Sequence, residues 1–220
     1  MEPKMHIECL PPKGRQVLKR LAGILSERHF ILGGGTALAL QLGHRVSVDL
    51  DFFTQSEFST DALFRQLKGA GFNPQVLQEE EGTLTVIIDD VKVSMFHYPY
   101  PFMDAQFKAE GVLTAGILDI ASMKVIAISQ RGAKRDFVDL YFILQDTPFW
   151  KIADNMIKRF GSERINPVHI GKSLVYFDDA EADPEPQYLL KAPPKWESIK
   201  KFFKKNVQQV VIDLQKAKEA

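Results

Sequence analysis

The stretch from Phe30 to Phe53, FILGGGTALALQLGHRVSVDLDFF, constrains the fold more than any other part of the chain. Phe30, Ile31 and Leu32 form a short apolar run that reads as a strand and stops at Gly33-Gly34-Gly35. Three glycines open dihedrals closed to other residues and let a ligand approach the backbone. Thr36 follows as a capping residue, and Ala37 to Leu42 are good helix formers. A glycine turn feeding a helix N-terminus offers N–H groups and a positive dipole end, which suits phosphate. A second strand then carries Asp49 and Asp51. Residues i and i+2 of a strand face the same way. Two carboxylates on one face attract a divalent cation, and magnesium favours a few carboxylates together with substrate phosphates. The bland alternative is an ordinary strand–turn–helix with two solvated aspartates. The apolar flanks of the pair and the glycine turn before it weigh against that.

GGTALALQLGHRVSVDLDFF resembles the AbiEii/AbiGii toxin family of the nucleotidyltransferase superfamily, in which a glycine pair precedes a paired-aspartate strand. The resemblance extends over residues 30–145. It implies an α/β (α+β) fold: a nucleotidyltransferase-like mixed-sheet core with a largely helical C-terminal half. It also implies an enzyme that moves NMP from an NTP to an acceptor, with Mg2+ or Mn2+ as cofactor. RNA, tRNA or a protein would be the acceptor, and a cognate antitoxin the protein partner. On this resemblance Asp49 and Asp51 hold the metal, and Gly34, Gly35 and Thr36 cradle phosphate. Family members carry an arginine shortly before the aspartate pair. Here it is Arg45, which would touch phosphate or hold the loop, a surface arginine being the equal alternative. Ser47 is placed by strand alternation to orient a carboxylate or a water, and His44 reads as solvent-facing.

Two later motifs extend the match. DIASMKVIAISQ, from Asp119 to Gln130, reads as a helix apolar almost all round, hence buried. Lys124 is its only cation, and a buried ammonium needs an anion, either a triphosphate or a neighbouring carboxylate. D-I-x-x-x-K resembles the family motif whose lysine contacts nucleotide, so Lys124 is a catalytic and nucleotide-binding candidate. Asp119 reads better as the helix cap. RGAKRDFVDLYFIL then carries Asp136 and Asp139 on one helical face. The family has a basic–Asp–x–x–Asp run there, and Asp136 is the choice for the active site. The alternative is a dipole contact for Asp136 and a buried salt bridge for Asp139.

One position departs from the superfamily pattern. The strand VKVSMFHYPY has Ser94 where a third carboxylate would face the first two. A second reading follows: a catalytically degenerate nucleotidyltransferase fold that binds nucleotide or a partner.

The rest of the chain supplies scaffold. Lys plus Arg and Asp plus Glu both number 28, so global charge does not mark a nucleic-acid binder. Cys9 is the only cysteine, which excludes an internal disulfide and fits a cytoplasmic setting. No apolar run reaches the length of a membrane span, and the N-terminus lacks a secretory pattern. Residues 1–12 read as irregular and 13–28 as a helix. Ser59 or Thr60 caps a helix over 61–70, and strands follow at 75–78, 83–88 and 91–96. Residues 98–113 read as an extended crossing segment whose aromatics pack rather than stack on bases. Helices are expected at 151–160 and 196–216, an acidic loop at 177–187, and an ambiguous stretch at 168–175. Lys195, Lys200, Lys201, Lys204 and Lys205 read as a solvated face before they read as an RNA contact. An exposed last helix that recruits a partner is a third, weaker reading. The expected division is a core over 1–113 and a helical region over 114–220 packed on it.

Overall fold

The structure, a computed structural model, describes residues 5–105 and 107–219. The irregular reading of 1–12 therefore falls partly outside the described residues, as does Gln106 in the crossing segment. The chain forms two compact units. One runs to Pro101 and takes in Ala105–Ala115; the other comprises Phe102–Asp104 and everything from Gly116 onward.

In the first unit, α1 (Pro12–Glu27) starts with proline in its first turn, where no N–H partner is needed. Val17, Leu18, Leu21 and Leu25 are its fully buried stripe. Then come β1 (Ile31–Leu32), α2 (Gly34–Leu42), β2 (Leu50–Thr54) and α3 (Thr60–Gly69). Ser59 caps α3, its side chain accepting the Ala62 N–H. β3 (Gln75–Glu80), β4 (Thr83–Ile88) and β5 (Val91–His97) form the expected antiparallel meander. Asp89 and Asp90 turn the β4–β5 hairpin with φ of 51° and 65°, the left-handed pair a two-residue hairpin turn requires. Arg20 reaches Asp89 at 2.7 Å and Lys13 reaches Asp90 at 2.5 Å, so α1 is tied to that turn.

The crossing segment does not stay extended. Its end folds into a hairpin of β6 (Phe107–Ala109) and β7 (Val112–Thr114), turned at Glu110 and Gly111. β7 pairs in parallel with β1, so the sheet has seven strands in the order β3-β4-β5-β2-β1-β7-β6. It is mixed, since β1–β2 is antiparallel and β2–β5 parallel.

The second unit is helical: α4 (Ile117–Arg131), α5 (Lys134–Asp146), α6 (Phe149–Phe160), α7 (Pro167–Ser173), α8 (Asp178–Glu181) and α9 (Trp196–Glu219). The ambiguous stretch is α7, and part of the expected acidic loop is α8. Phe137 of α5 centres the core, its ring 5.2 Å from Phe177, 5.9 Å from Trp196 and 5.5 Å from Phe203. Lys200 lies between Glu181 and Glu197, while Lys195, Lys201, Lys204 and Lys205 are exposed. Among the described residues no helix is long and apolar enough to cross a membrane.

Asp119 does not cap α4. The cap position is Gly116, and Asp119 lies fully buried in the first turn. Its carboxylate accepts the N–H groups of Met103 and Asp104 at 2.8 and 2.9 Å and the Asn155 amide at 3.0 Å. The capping carboxylate is Asp104, which accepts the Leu118 N–H at 2.8 Å. Two aspartates thus exchange backbone bonds, and the exchange fastens Phe102–Asp104 to the helical unit. α5 is served the same way, with Asp183 accepting the Lys134 N–H at 2.9 Å.

Candidate active site

The glycine turn and the aspartate pair form one piece of structure in the first unit. The Gly33 N–H donates to the Asp51 carbonyl at 2.9 Å, which fastens the turn to β2. Gly34 opens α2 with φ +62°. A Cβ on Gly34 would lie 3.1 Å from Asp51 Oδ2, so the carboxylate rests against the bare glycine. α2 therefore starts earlier than the sequence suggests, with Gly33 as its cap. Thr36 is not the capping residue but a buried member of the first turn. Its hydroxyl donates to the Asp49 carbonyl and lies 2.8 Å from the Ser47 hydroxyl. By helix geometry the N–H groups of Gly34, Gly35 and Thr36 have no intrahelical acceptor.

Asp51 lies within β2, while Asp49 lies one residue before its first residue, Leu50. Both are half-buried, and Leu50 between them is fully buried, so the alternation continues past the end of the strand. Ser47 is 8% exposed, and its N–H donates to the Cys9 carbonyl at 2.9 Å. Burial pushes the Cys9 thiol up to about 12, which leaves it an unreactive core group. Arg45 is not a surface arginine. It is 6% exposed, and its Nη1 donates to the Val46 carbonyl at 3.0 Å, inside its own loop. His44, expected to face solvent, is 1% exposed. Both residues follow α2 and are drawn inward by the same loop that delivers Asp49. Ser94 is the residue of β5 in register with Asp51, and Thr85 of β4 is in register with Ser94.

Lys124 and Asp136 belong to the second unit and pair there. Lys124 Nζ lies 2.7 Å from Asp136 Oδ1 and 2.7 Å from Asp139 Oδ2. The anion that a buried ammonium requires is therefore supplied by α5. Arg131 adds a 3.3 Å contact to Asp136 from an exposed position. Sequence reasoning missed a further group, the Asp119–Asn155–Arg159 cluster. Arg159 Nη1 donates to the Asp119 carbonyl at 2.7 Å, and its guanidinium lies between the Phe102 and Phe160 rings. The available signal was an arginine inside a strongly amphipathic helix, which alone does not name its partners.

The glycine at position 34 makes a direct prediction. Gly34→Ala is expected to lower stability by about 1–2 kcal/mol, the cost of a left-handed alanine. The urea midpoint followed by circular dichroism measures it, and an unchanged midpoint would show that α2 does not need the left-handed start.

The family model described as "Nucleotidyl transferase AbiEii toxin, Type IV TA system" matches residues 16–71 and 70–217. A protein of Aquifex aeolicus (strain VF5), described only as uncharacterized, is 35% identical over 205 residues, covering 91% of this chain and 97% of that one. A Helicobacter pylori structure, described as a candidate nucleotidyltransferase, aligns with 96% of this chain and 95% of its own. Its identity is 20% and its TM-score 0.57. MenT4, a nucleotidyltransferase toxin from Mycobacterium tuberculosis H37Rv, aligns over 93% and 91%, at 15% identity and TM-score 0.57. The two structural likenesses speak for the fold, and the family match covers most of the sequence. With its glycine turn set against a carboxylate strand, the chain belongs to the AbiEii toxin family and is a nucleotidyltransferase.

Proposed function

We propose that the chain transfers a nucleoside monophosphate from an NTP to a hydroxyl of RNA, with tRNA included in that class. The observation that carries this reading is the contact of Asp51 with Gly34, which puts one carboxylate of the pair beside a helix N-terminus. Nucleotide phosphates need both, a cation on one side and N–H donors on the other.

The donor set fits magnesium, or manganese, brought in with the nucleotide. Magnesium keeps its waters and takes one or two carboxylates plus phosphate oxygens. Asp49 and Asp51, both half-buried, supply that number. Bound there, the ion would offset charge on the triphosphate and favour attack at the α-phosphorus. The first turn of α2, from Gly34 to Thr36, directs N–H groups toward phosphate oxygens. Thr36 and Ser47 keep the Asp49 backbone in place through their hydroxyls. The acceptor oxygen forms a bond to the α-phosphorus as the bond to the bridging oxygen breaks. Pyrophosphate leaves, and the acceptor proton passes to solvent. Arg45 serves this reading by holding the loop between α2 and Asp49. Lys124 and Asp136 are supported by their motifs; their ion pairs join α4 to α5, with Asp139 and Arg131 as further members. The reading sets the reaction in the cytoplasm, with a cognate antitoxin as partner.

The test is label transfer from each α-labelled NTP to total RNA with magnesium or manganese. Label on RNA that is lost in Asp49→Ala and Asp51→Ala is the expected result. Ser94 in register with Asp51 favours a second reading, a nucleotide-binding protein without catalysis. NTP binding that both variants lose, with no label moved by the native chain to RNA or protein, would decide for it.

A further inference from the structure

We propose that Ser94 limits the carboxylate site to one divalent cation per chain, carried in with the nucleotide. The inference rests on the nucleotidyl-transfer reading above and goes on to fix the metal count of its site.

β5 runs parallel to β2 and sets Ser94 beside Asp51; β4 sets Thr85 beside Ser94. Neighbouring strands lie about 4.8 Å apart, and residues in register present their side chains to one face. The row that leaves Asp51 toward β4 is thus two neutral hydroxyls, Ser94 at 2% and Thr85 at 5% exposure. On the other side of Asp51 stands Gly33, bonded to it through the backbone and bearing no side chain. Asp49 is the remaining carboxylate of the pair. Among the described residues no group of three or more His, Cys, Asp or Glu is arranged to hold a metal ion.

Two cations at the roughly 3.5–4 Å separation of two-metal sites repel each other strongly. They need a bridging carboxylate and further anions on each. Two carboxylates and a set of phosphate oxygens satisfy one magnesium. Burial at position 94 bears on which side chain can stand there. A carboxylate there would be buried, and a buried anion is costly unless it meets a cation. An acidic residue at 94 is therefore tolerated only with an ion beside it, and serine needs none.

The count can be measured without turnover. Bound Mn2+ is read by electron paramagnetic resonance at saturating NTP analogues with a methylene between the α- and β-phosphorus. One Mn2+ per chain is expected for the native protein and for Ser94→Ala, and two for Ser94→Asp. Without metal, Ser94→Asp should melt below the native chain and recover when Mn2+ and analogue are added. Two ions on the native chain overturn the proposal, as does a folded Ser94→Asp that stays at one. Loss of the ion in Ser94→Ala would overturn it too, since the hydroxyl would then be a ligand. Should Ser94→Asp fail to fold under any condition, the native and Ser94→Ala counts still decide. A native chain that binds no Mn2+ with any of the four analogues would instead bring down the nucleotidyl-transfer reading itself.

Discussion

Asp51→Asn is expected to lower nucleotidyl transfer by about 10³-fold, equivalent to ~4 kcal/mol of transition-state stabilisation, and to leave the fold in place. Asparagine keeps the shape of the side chain, and the space beside Gly34 still accepts it. It removes one of two neighbouring like charges, so stability should hold or rise slightly. Asp49→Asn should behave similarly. The double variant should fall little further than either single one, because groups that act on one centre are not additive. Initial rates at saturating metal and NTP, set beside thermal melts of the same samples, make the comparison. A rate loss that merely follows a fall in melting temperature would remove Asp51 from the site.

The site's backbone was readable because its chemistry is local in sequence. A glycine run, a helix and two aspartates two apart carry their geometry within two dozen residues. The strands of the meander were equally open, since Thr83–Ile88 is rich in β-branched residues and is bounded by Gly82 and the Asp89-Asp90 turn. What failed was whatever depended on distant partners. The caps of α4 and α5 come from Asp104 and Asp183, 14 and 49 residues away from the N–H groups they accept. No capping pattern near either helix records that, and for α4 the local sequence points to Asp119 instead. β6 and β7 are three residues each, too short for a period to appear, and their pairing is fixed by β1.

The polar residues were harder still. His44 and Arg45 look like loop surface because they are polar and follow a glycine, yet both are buried. Their burial comes from the path that the chain takes to bring Asp49 beside Thr36. The place of Thr36 inside the first turn is hidden for a simpler reason. A helix starting in glycines looks as if it begins where the glycines end, and α2 begins at Gly34 because that residue can take φ +62°. Much of the buried face of α9, by contrast, follows local spacing. Ile199, Phe203, Val210 and Leu214 repeat at helical spacing over a long stretch.

Lys124→Met is expected to destabilise the second unit by about 3–5 kcal/mol, the usual cost of removing one partner from a buried ion pair. The substitution keeps the apolar stem and deletes the ammonium. Asp136 and Asp139, 1% and 0% exposed at the side chain, then lose the ammonium they share. Arg131 still reaches Asp136, though from a guanidinium that is mostly in water. Urea unfolding by tryptophan fluorescence reads the loss, since Trp150 and Trp196 both lie in this unit and Trp196 touches Phe137 beside Asp136. Lys124→Met/Asp136→Leu/Asp139→Leu should recover most of the stability, because an apolar replacement of a whole buried ion cluster is often neutral. Transfer by that stable triple variant then separates two roles that no stability measurement can separate. Activity kept would mark the cluster as the fastening of α4 to α5. Activity lost from a stable chain would place Lys124 and Asp136 in the chemistry, as their motifs imply.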